Sequence, residues 1–233
     1  MTTVDKIIQS ATVFYNELTK DENGRYRSWE YCYKQFYDAR NITPNLDLLS
    51  LHLAFYLASW GMYRGSSFLL QKDYKIHIPA IEEILDKKYD FLSGIECTEY
   101  RNEEKMNTLM TLVKELKKYY DKVRKTVIET EVRNELSNTL ITKILMGTLG
   151  CVPAYDRYFI DGVRKEKVTT GNFNERSLLK LVDFYENNHD ELEVCRKKLK
   201  VEGLPYPQMK LLDMGLWQIG FENDPDKGLQ TAH

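Results

Sequence analysis

Glycine and proline are scarce in this chain of 233 residues, with 12 and 6 copies respectively. Disordered, collagen-like and low-complexity proteins are rich in these residues, so the composition excludes those classes. No internal repeat with a period of roughly 20–50 residues is visible, which argues against a helical solenoid. The length suits one domain. We therefore expect a single domain over residues 1–233, with interlocked lobes 1–130 and 131–233 and a cleft between them.

A long apolar run is also missing from the sequence. The longest stretch without a charged residue, Leu48 to Tyr63, has 16 residues, whereas a membrane-spanning helix needs about 20. The first ten residues include Asp5 and Lys6 and lack the apolar core of a signal peptide. We therefore expect a cytoplasmic protein that has no membrane partner.

Cysteine and histidine are few and widely spaced. The four cysteines are separated by 65, 54 and 44 residues, with no CxxC pair and no histidine at a spacing suited to zinc. Nucleotide-binding, nucleophile-elbow and zinc-protease motifs are absent as well, so we expect free thiols, no metal and no cofactor. A Cys151 nucleophile paired with His189 is disfavoured, because apolar surroundings raise the pKa of a thiol.

The chain has no excess of positive charge. Lys and Arg number 33 against 35 Asp and Glu, a net charge of −2, so no global field attracts a polyanion. Three local basic runs remain, at residues 117–125, 164–167 and 196–200. Such runs are either solvated helix faces or phosphate contacts. DNA binding would therefore depend on local patches.

Helical periodicity dominates what is present. Ile7, Ala11, Phe14 and Leu18 recur at intervals of three and four residues, as on one face of a helix. The same pattern predicts an all-α domain with about ten helices and no strand. A further helix is predicted to open at Asn45 or Asp47 and to run to Trp60, and a short one to follow Ser66 or Ser67. The other predicted helices cover residues 29–39, 79–89, 102–125, 132–149, 154–164, 175–188, 191–200 and 208–221.

Two segments place polar or flexible residues inside apolar helical runs, at residues 59–67 and 147–159. In the second, Gly150 can end a helix in the left-handed conformation and Pro153 can begin the next one. Asp156 would then lie in the first turn of the new helix, where the helix dipole stabilises a carboxylate. The simple alternative is that Asp156 only caps this helix.

The run from Thr142 to Asp156 resembles the helix-hairpin-helix DNA glycosylase superfamily. In that family an apolar helix led by threonine ends at a glycine, and an aspartate opens the next helix. The resemblance implies an all-α fold. It also implies that Asp156 is the catalytic aspartate, which in the family stabilises positive charge on the deoxyribose or helps position the nucleophile.

The resemblance also bears on the type of glycosylase. The family's hairpin reads Leu-Pro-Gly-hydrophobic-Gly and holds a DNA phosphate with its backbone amides, whereas residues 135–139 contain neither glycine nor proline. Bifunctional members carry a lysine nucleophile at the hairpin junction. Leu136, Ser137 and Asn138 stand at the corresponding positions, and Lys143 lies about one turn too far into the helix. The implied enzyme is therefore monofunctional.

Base excision needs aromatic rings to hold an extruded base and a carboxylate near the sugar. Candidate groups come from the two unusual segments. The candidate rings are Trp60, Tyr63, Tyr155 and Tyr158. The candidate phosphate or base-edge contacts are Arg64 and Arg157, because a guanidinium fork suits both.

Each candidate has a structural alternative. The rings could simply pack in the core, and residues 150–159 could be only a tight corner in a non-catalytic helical protein that binds a partner or a nucleic acid. The two hypotheses differ in whether Asp156 lines a cleft with Tyr63, Arg64 and Tyr155 or faces solvent as a cap.

Overall fold

The computed structural model describes residues 1–127, 136–201 and 203–225. These residues form ten α-helices, which confirms the all-α class. The helices are α1 Thr3–Lys20, α2 Ser28–Ala39, α3 Leu46–Ser59, α4 Ile78–Ile84, α5 Glu103–Arg124, α6 Asn138–Thr148, α7 Arg157–Lys165, α8 Glu175–Asn187, α9 His189–Arg196 and α10 Gln208–Glu222. Five short 3-10 helices join them, Arg25–Arg27, Phe68–Gln71, Tyr74–His77, Lys87–Leu92 and Cys97–Arg101.

Several predicted helix ends differ from the observed ones. The helix expected over 79–89 ends at Ile84, because Asp86 accepts a hydrogen bond from Lys88 N–H and starts a 3-10 turn. The helix expected to reach Lys200 ends at Arg196. Lys200 and Val201 form β1, which pairs antiparallel with β2, Leu204–Pro205. The predicted start at 132 lies outside the described residues, and α6 begins at Asn138.

Helix α10 lies at the centre of the fold. Its residues from Gln208 to Gly220 are buried, and α1 and α7 pack along it. A Cβ at Gly162 would lie 1.9 Å from the Leu216 carbonyl oxygen, and a Cβ at Gly220 would lie 1.9 Å from that of Tyr158. Glycine at both positions therefore lets the backbones of α7 and α10 touch.

Helix α1 approaches α10 in a similar way. A Cβ at Gly215 would lie 2.6 Å from the carbonyl oxygen of Ile7. The amphipathic face of α1, which includes Ile7, Ala11 and Phe14, is buried there. The earliest and latest described helices thus share one core, while the division into two lobes stays a prediction.

Aromatic side chains supply much of this core. Trp29 and Tyr33 of α2 stack with ring centroids 5.2 Å apart, and Tyr206 meets Trp29 edge-on at 4.9 Å. The indole N–H of Trp29 donates to the carbonyl oxygen of Met146 in α6 at 3.0 Å. Trp29, Tyr33 and Tyr206 are all buried, so core packing describes the role of these rings.

The cysteine side chains lie within the core of the fold. All four cysteines are free and buried, in agreement with the prediction. Within the described ranges, no helix is long and apolar enough to cross a membrane. No cluster of three or more His, Cys, Asp or Glu side chains suited to a metal ion occurs in the same part of the chain.

Candidate functional site

A cavity of about 880 Å³ opens where the end of α3 meets the starts of α6 and α7 and the last turns of α10. Five of the seven predicted site residues line it. They are Trp60, Arg64, Asp156, Arg157 and Tyr158. The volume lies in the range of about 300–1,000 Å³ that is typical of ligand pockets.

Asp156 is both a helix cap and a wall of the cavity. The expectation that it lies inside the first turn is corrected, because α7 begins at Arg157 and Asp156 is its N-cap in an extended conformation. One carboxylate oxygen, Oδ1, accepts a hydrogen bond from Phe159 N–H at 3.2 Å. The other, Oδ2, lies 2.9 Å from the ammonium of Lys143, and the side chain is 15% exposed. Both carboxylate oxygens are therefore engaged, one by the helix that Asp156 caps and the other by Lys143, which fixes the carboxylate at the cavity wall.

Lys143 is the charged partner of Asp156. The side chain extends from α6 and is only 3% exposed, and its Nζ also donates to the carbonyl oxygen of Trp60 at 3.1 Å. The same Nζ lies 5.2 Å from the centre of the Trp60 ring. One buried ammonium thus joins the end of α3 to the start of α7. The sequence signal for it was a single cation within an apolar helical run.

Three side chains hold the backbone just before Asp156. Thr142 Oγ1 accepts from Tyr155 N–H at 3.0 Å, while Thr139 Oγ1 donates to the Tyr155 carbonyl oxygen at 2.9 Å. Asp213 of α10 accepts from Ala154 N–H at 2.9 Å. Gly150 has φ of +64°, so the predicted left-handed helix end is confirmed. These bonds fix the position of the carboxylate from two sides.

The aromatic wall combines core packing with exposure to the cavity. Trp60 stacks on Phe14 at 6.2 Å and lies 4.8 Å from the ring of Tyr26. Tyr158 meets Trp217 of α10 edge-on at 5.2 Å. Tyr26 and Trp217 also line the cavity, and neither was predicted from the sequence. Trp217 falls in an apolar helix that reads as core, and Tyr26 lies in a turn far away in sequence.

Tyr155 and Tyr63 are not brought to the cavity, which corrects the expectation that both line it with Arg64. Tyr155 is 1% exposed and meets Phe159 edge-on at 5.0 Å, and burial raises its pKa to about 12. The hydroxyl of Tyr63 lies 2.8 Å from Nε2 of His77. For Tyr155 the core-packing alternative describes the structure.

Cations outnumber carboxylates around the cavity, in contrast with the net charge of the chain. The lining cations are Arg25, Arg64, Arg124, Lys143 and Arg157. The lining carboxylates are Asp156 and Asp224. Of the three basic runs, the one at 117–125 reaches the cavity through Arg124, while those at 164–167 and 196–200 do not line it.

Two of these cations are already bound by carboxylates, besides Lys143. The Arg157 guanidinium pairs with Asp224, whose carboxylate also accepts a hydrogen bond from the Tyr158 hydroxyl at 2.8 Å. Arg124 pairs with Asp121 at 2.8 Å. These groups consequently build the wall as well as carrying charge.

Comparison with known proteins gives no relative on which to base a function. No protein-family model matches the chain, and no curated protein or solved structure matches it.

Proposed function

We propose that this protein is a monofunctional DNA N-glycosylase, a hydrolase that releases a damaged or modified base. The observation that carries the proposal is the position of Asp156, a fixed carboxylate at the wall of a cavity lined by rings and guanidinium groups. A cytoplasmic location and DNA as the partner belong to the same proposal.

The chemistry of base release matches the groups in the cavity. Hydrolysis of the N-glycosidic bond develops positive charge on the sugar, which a nearby fixed carboxylate stabilises. An extruded base gains about 1–3 kcal/mol from stacking on an aromatic ring. Trp60 and Tyr158 offer such rings on the wall that also holds Asp156. The excess of lining cations suits the phosphates of the strand.

In this proposal Lys143 orients the carboxylate and does not attack the sugar. Its ammonium contacts Asp156 Oδ2 and the Trp60 carbonyl oxygen. A positioned ion pair of this kind fixes the direction in which the carboxylate faces. Water is then the nucleophile, and Asp156 stabilises the cationic sugar or positions that water.

The test is an assay for abasic sites. Duplexes carrying a panel of damaged and modified bases are incubated with the protein and then cleaved with alkali. We expect strand cleavage by the wild type and at least a hundredfold loss in Asp156→Asn, a typical cost for one electrostatic catalytic group. Asparagine caps helices as well as aspartate does, so the start of α7 is retained.

The matched control is Asp161→Asn, which removes an exposed carboxylate from the same helix. It should retain full activity. If Asp156→Asn is unstable because Lys143 is left unpaired, adding Lys143→Gln removes the orphan charge. Absence of abasic sites across the panel, or equal activity in Asp156→Asn and wild type, would refute the proposal.

Borohydride separates the monofunctional from the bifunctional reaction. Reduction during turnover traps a protein covalently on DNA only if a lysine has formed a Schiff base with the sugar. We expect no adduct. An adduct that disappears in Lys143→Gln would overturn the monofunctional assignment and leave the glycosylase assignment standing.

The alternative of a non-catalytic interaction protein draws support from the exposed face of α3. Leu48, Leu51 and Phe55 are 41, 51 and 59% exposed and fall on one side of the helix. Exposed apolar side chains that adjoin one another are typical of protein contact surfaces. If this protein binds a helical partner through this face and forms no abasic sites, it is a non-catalytic interaction protein.

A further inference from the structure

Two of the cations around the cavity differ from the others. Lys143, Arg157 and Arg124 each pair with a carboxylate. Arg25 and Arg64 form no ion pair with any residue in the ranges 1–127, 136–201 and 203–225, and both are exposed. The uncompensated positive charge of the cavity is therefore concentrated on these two side chains.

Both side chains line the same cavity, and Arg25 lies against its aromatic wall. The guanidinium of Arg25 lies 4.6 Å from the centre of the Tyr26 ring and donates to the Tyr26 hydroxyl at 2.7 Å. The Tyr26 ring in turn lies 4.8 Å from the ring of Trp60. Arg25 is thus held beside the aromatic wall.

Arg64 lies beside the chain segment that follows Trp60. It folds back on Gly61, the next residue after Trp60, where a Cβ would lie 2.9 Å from Arg64 Nε. Gly61 has φ of +75°, a conformation that glycine adopts without strain. The loop is fixed by Ser67, whose hydroxyl donates to the Met62 carbonyl oxygen at 2.6 Å.

We propose that Arg25 and Arg64 form a phosphodiester-binding pair that holds the backbone of a nucleic-acid strand along the Tyr26–Trp60 wall. The identity of the ligand as a strand rests on the proposed function. Arg157, which the sequence suggested for phosphate or base contacts, instead fixes Tyr158 through Asp224. Residues 135–139 lack the glycines with which the hairpin of the glycosylase family holds a phosphate. In this proposal the arginine pair makes that contact instead.

The Arg25–Arg64 pair is tested by measuring the affinity for a DNA duplex that the protein cannot cleave. The probe is a short fluorescent duplex with one tetrahydrofuran residue, an abasic analogue that has no base to release. Affinity is measured against salt concentration for wild type, Arg25→Gln, Arg64→Gln and the double variant. Each neutralised phosphate contributes about 0.9 to the slope of log K against log salt, so each single variant should lower the slope by about that amount.

The matched control is Arg176→Gln, an exposed arginine on α8 that does not line the cavity. It changes the net charge equally and should leave the slope unchanged. A charge-assisted hydrogen bond contributes about 1.5–3 kcal/mol, so each cavity variant should bind roughly ten- to a hundredfold more weakly at low salt. Urea unfolding curves should be the same for all variants.

Methylphosphonates identify the phosphate. Each linkage beside the tetrahydrofuran residue is replaced in turn by an uncharged methylphosphonate. We expect at least one replacement to weaken the wild type and to leave the double variant unaffected. Slopes that match wild type in both arginine variants, or a wild type insensitive to every replacement, would overturn the pair.

The outcome is independent of catalysis. Loss of slope in the variants with no abasic sites in the glycosylase assay would retain the pair and reject the enzyme. Abasic-site formation with unchanged slopes would retain the enzyme and reject the pair.

Discussion

A buried histidine should make the stability of this protein depend on pH. His77 is fully buried, with Nε2 2.8 Å from the Tyr63 hydroxyl and Nδ1 2.7 Å from the Tyr120 hydroxyl. A neutral imidazole donates through one nitrogen and accepts through the other. Protonation makes both nitrogens donors, so one phenol can no longer donate to the ring. Burial itself lowers the pKa of His77 to about 4.

The size of the effect follows from that pKa. An unfolded histidine titrates near 6.5, so between about pH 6.5 and pH 4 the unfolded chain binds a proton that the folded chain does not. Stability is fully present above pH 6.5 and falls as the pH drops towards 4. The difference of about 2.5 pKa units corresponds to about 3 kcal/mol at the acid end of the window. At pH 4.5 most of this loss, about 2.5 kcal/mol, should have occurred.

Urea unfolding at pH 7.5 and pH 4.5 measures this loss in three proteins, wild type, His77→Gln and His189→Gln. Glutamine keeps a donor and an acceptor but does not titrate, so His77→Gln should lose about 2.5 kcal/mol less than wild type. His189 is exposed, and its variant should follow the wild type. Carboxylates titrate in all three proteins and cancel in the comparison. A pH-dependent loss in His77→Gln as large as in wild type would show that His77 is not the source of the effect.

Two further predictions concern packing. Gly220→Ala should lower the free energy of unfolding by about 3 kcal/mol or more, because the new Cβ would meet the Tyr158 carbonyl oxygen and force α7 away from α10; an unchanged urea midpoint would contradict the direct backbone contact. Native protein should show no rapid reaction with a thiol reagent and four reactive thiols after unfolding, since burial raises the pKa of Cys151 to about 12 and raises those of the other cysteines. One rapidly reacting thiol in the native state would contradict this.

The fold was largely predictable because a helix leaves a periodic pattern of apolar residues in its own stretch of sequence. Apolar residues at intervals of three and four predicted the buried face of α1, and the helix predicted over 208–221 differs from α10 by one residue. The misplaced ends have local causes, such as the cap at Asp86 that ends α4 early. Whether a helix forms depends mainly on residues that are close in sequence. Where it ends depends on single side-chain hydrogen bonds to the backbone, which compete with the hydrogen bonds of the helix.

The site was less predictable because it is assembled from distant segments. Tyr155 was selected for its place beside Asp156, yet neighbouring residues face different directions, and Tyr155 packs in the core. Tyr26 and Trp217 contribute to the wall through tertiary contacts that no local pattern encodes. The contact of Lys143 with Asp156 was not predicted, because 13 residues of sequence separation say nothing of the distance between two side chains in space.

The contact between α1 and α10 sets a delay during synthesis. Ile7 and Gly215 touch in the folded protein but are 208 residues apart in the chain. A ribosome adds roughly 5–20 residues per second, so about 10–40 s pass between the synthesis of Ile7 and that of Gly215. Throughout that interval the part of the α1 face that packs on α10 stays uncovered, and it is a target for the chaperones that accompany a growing chain.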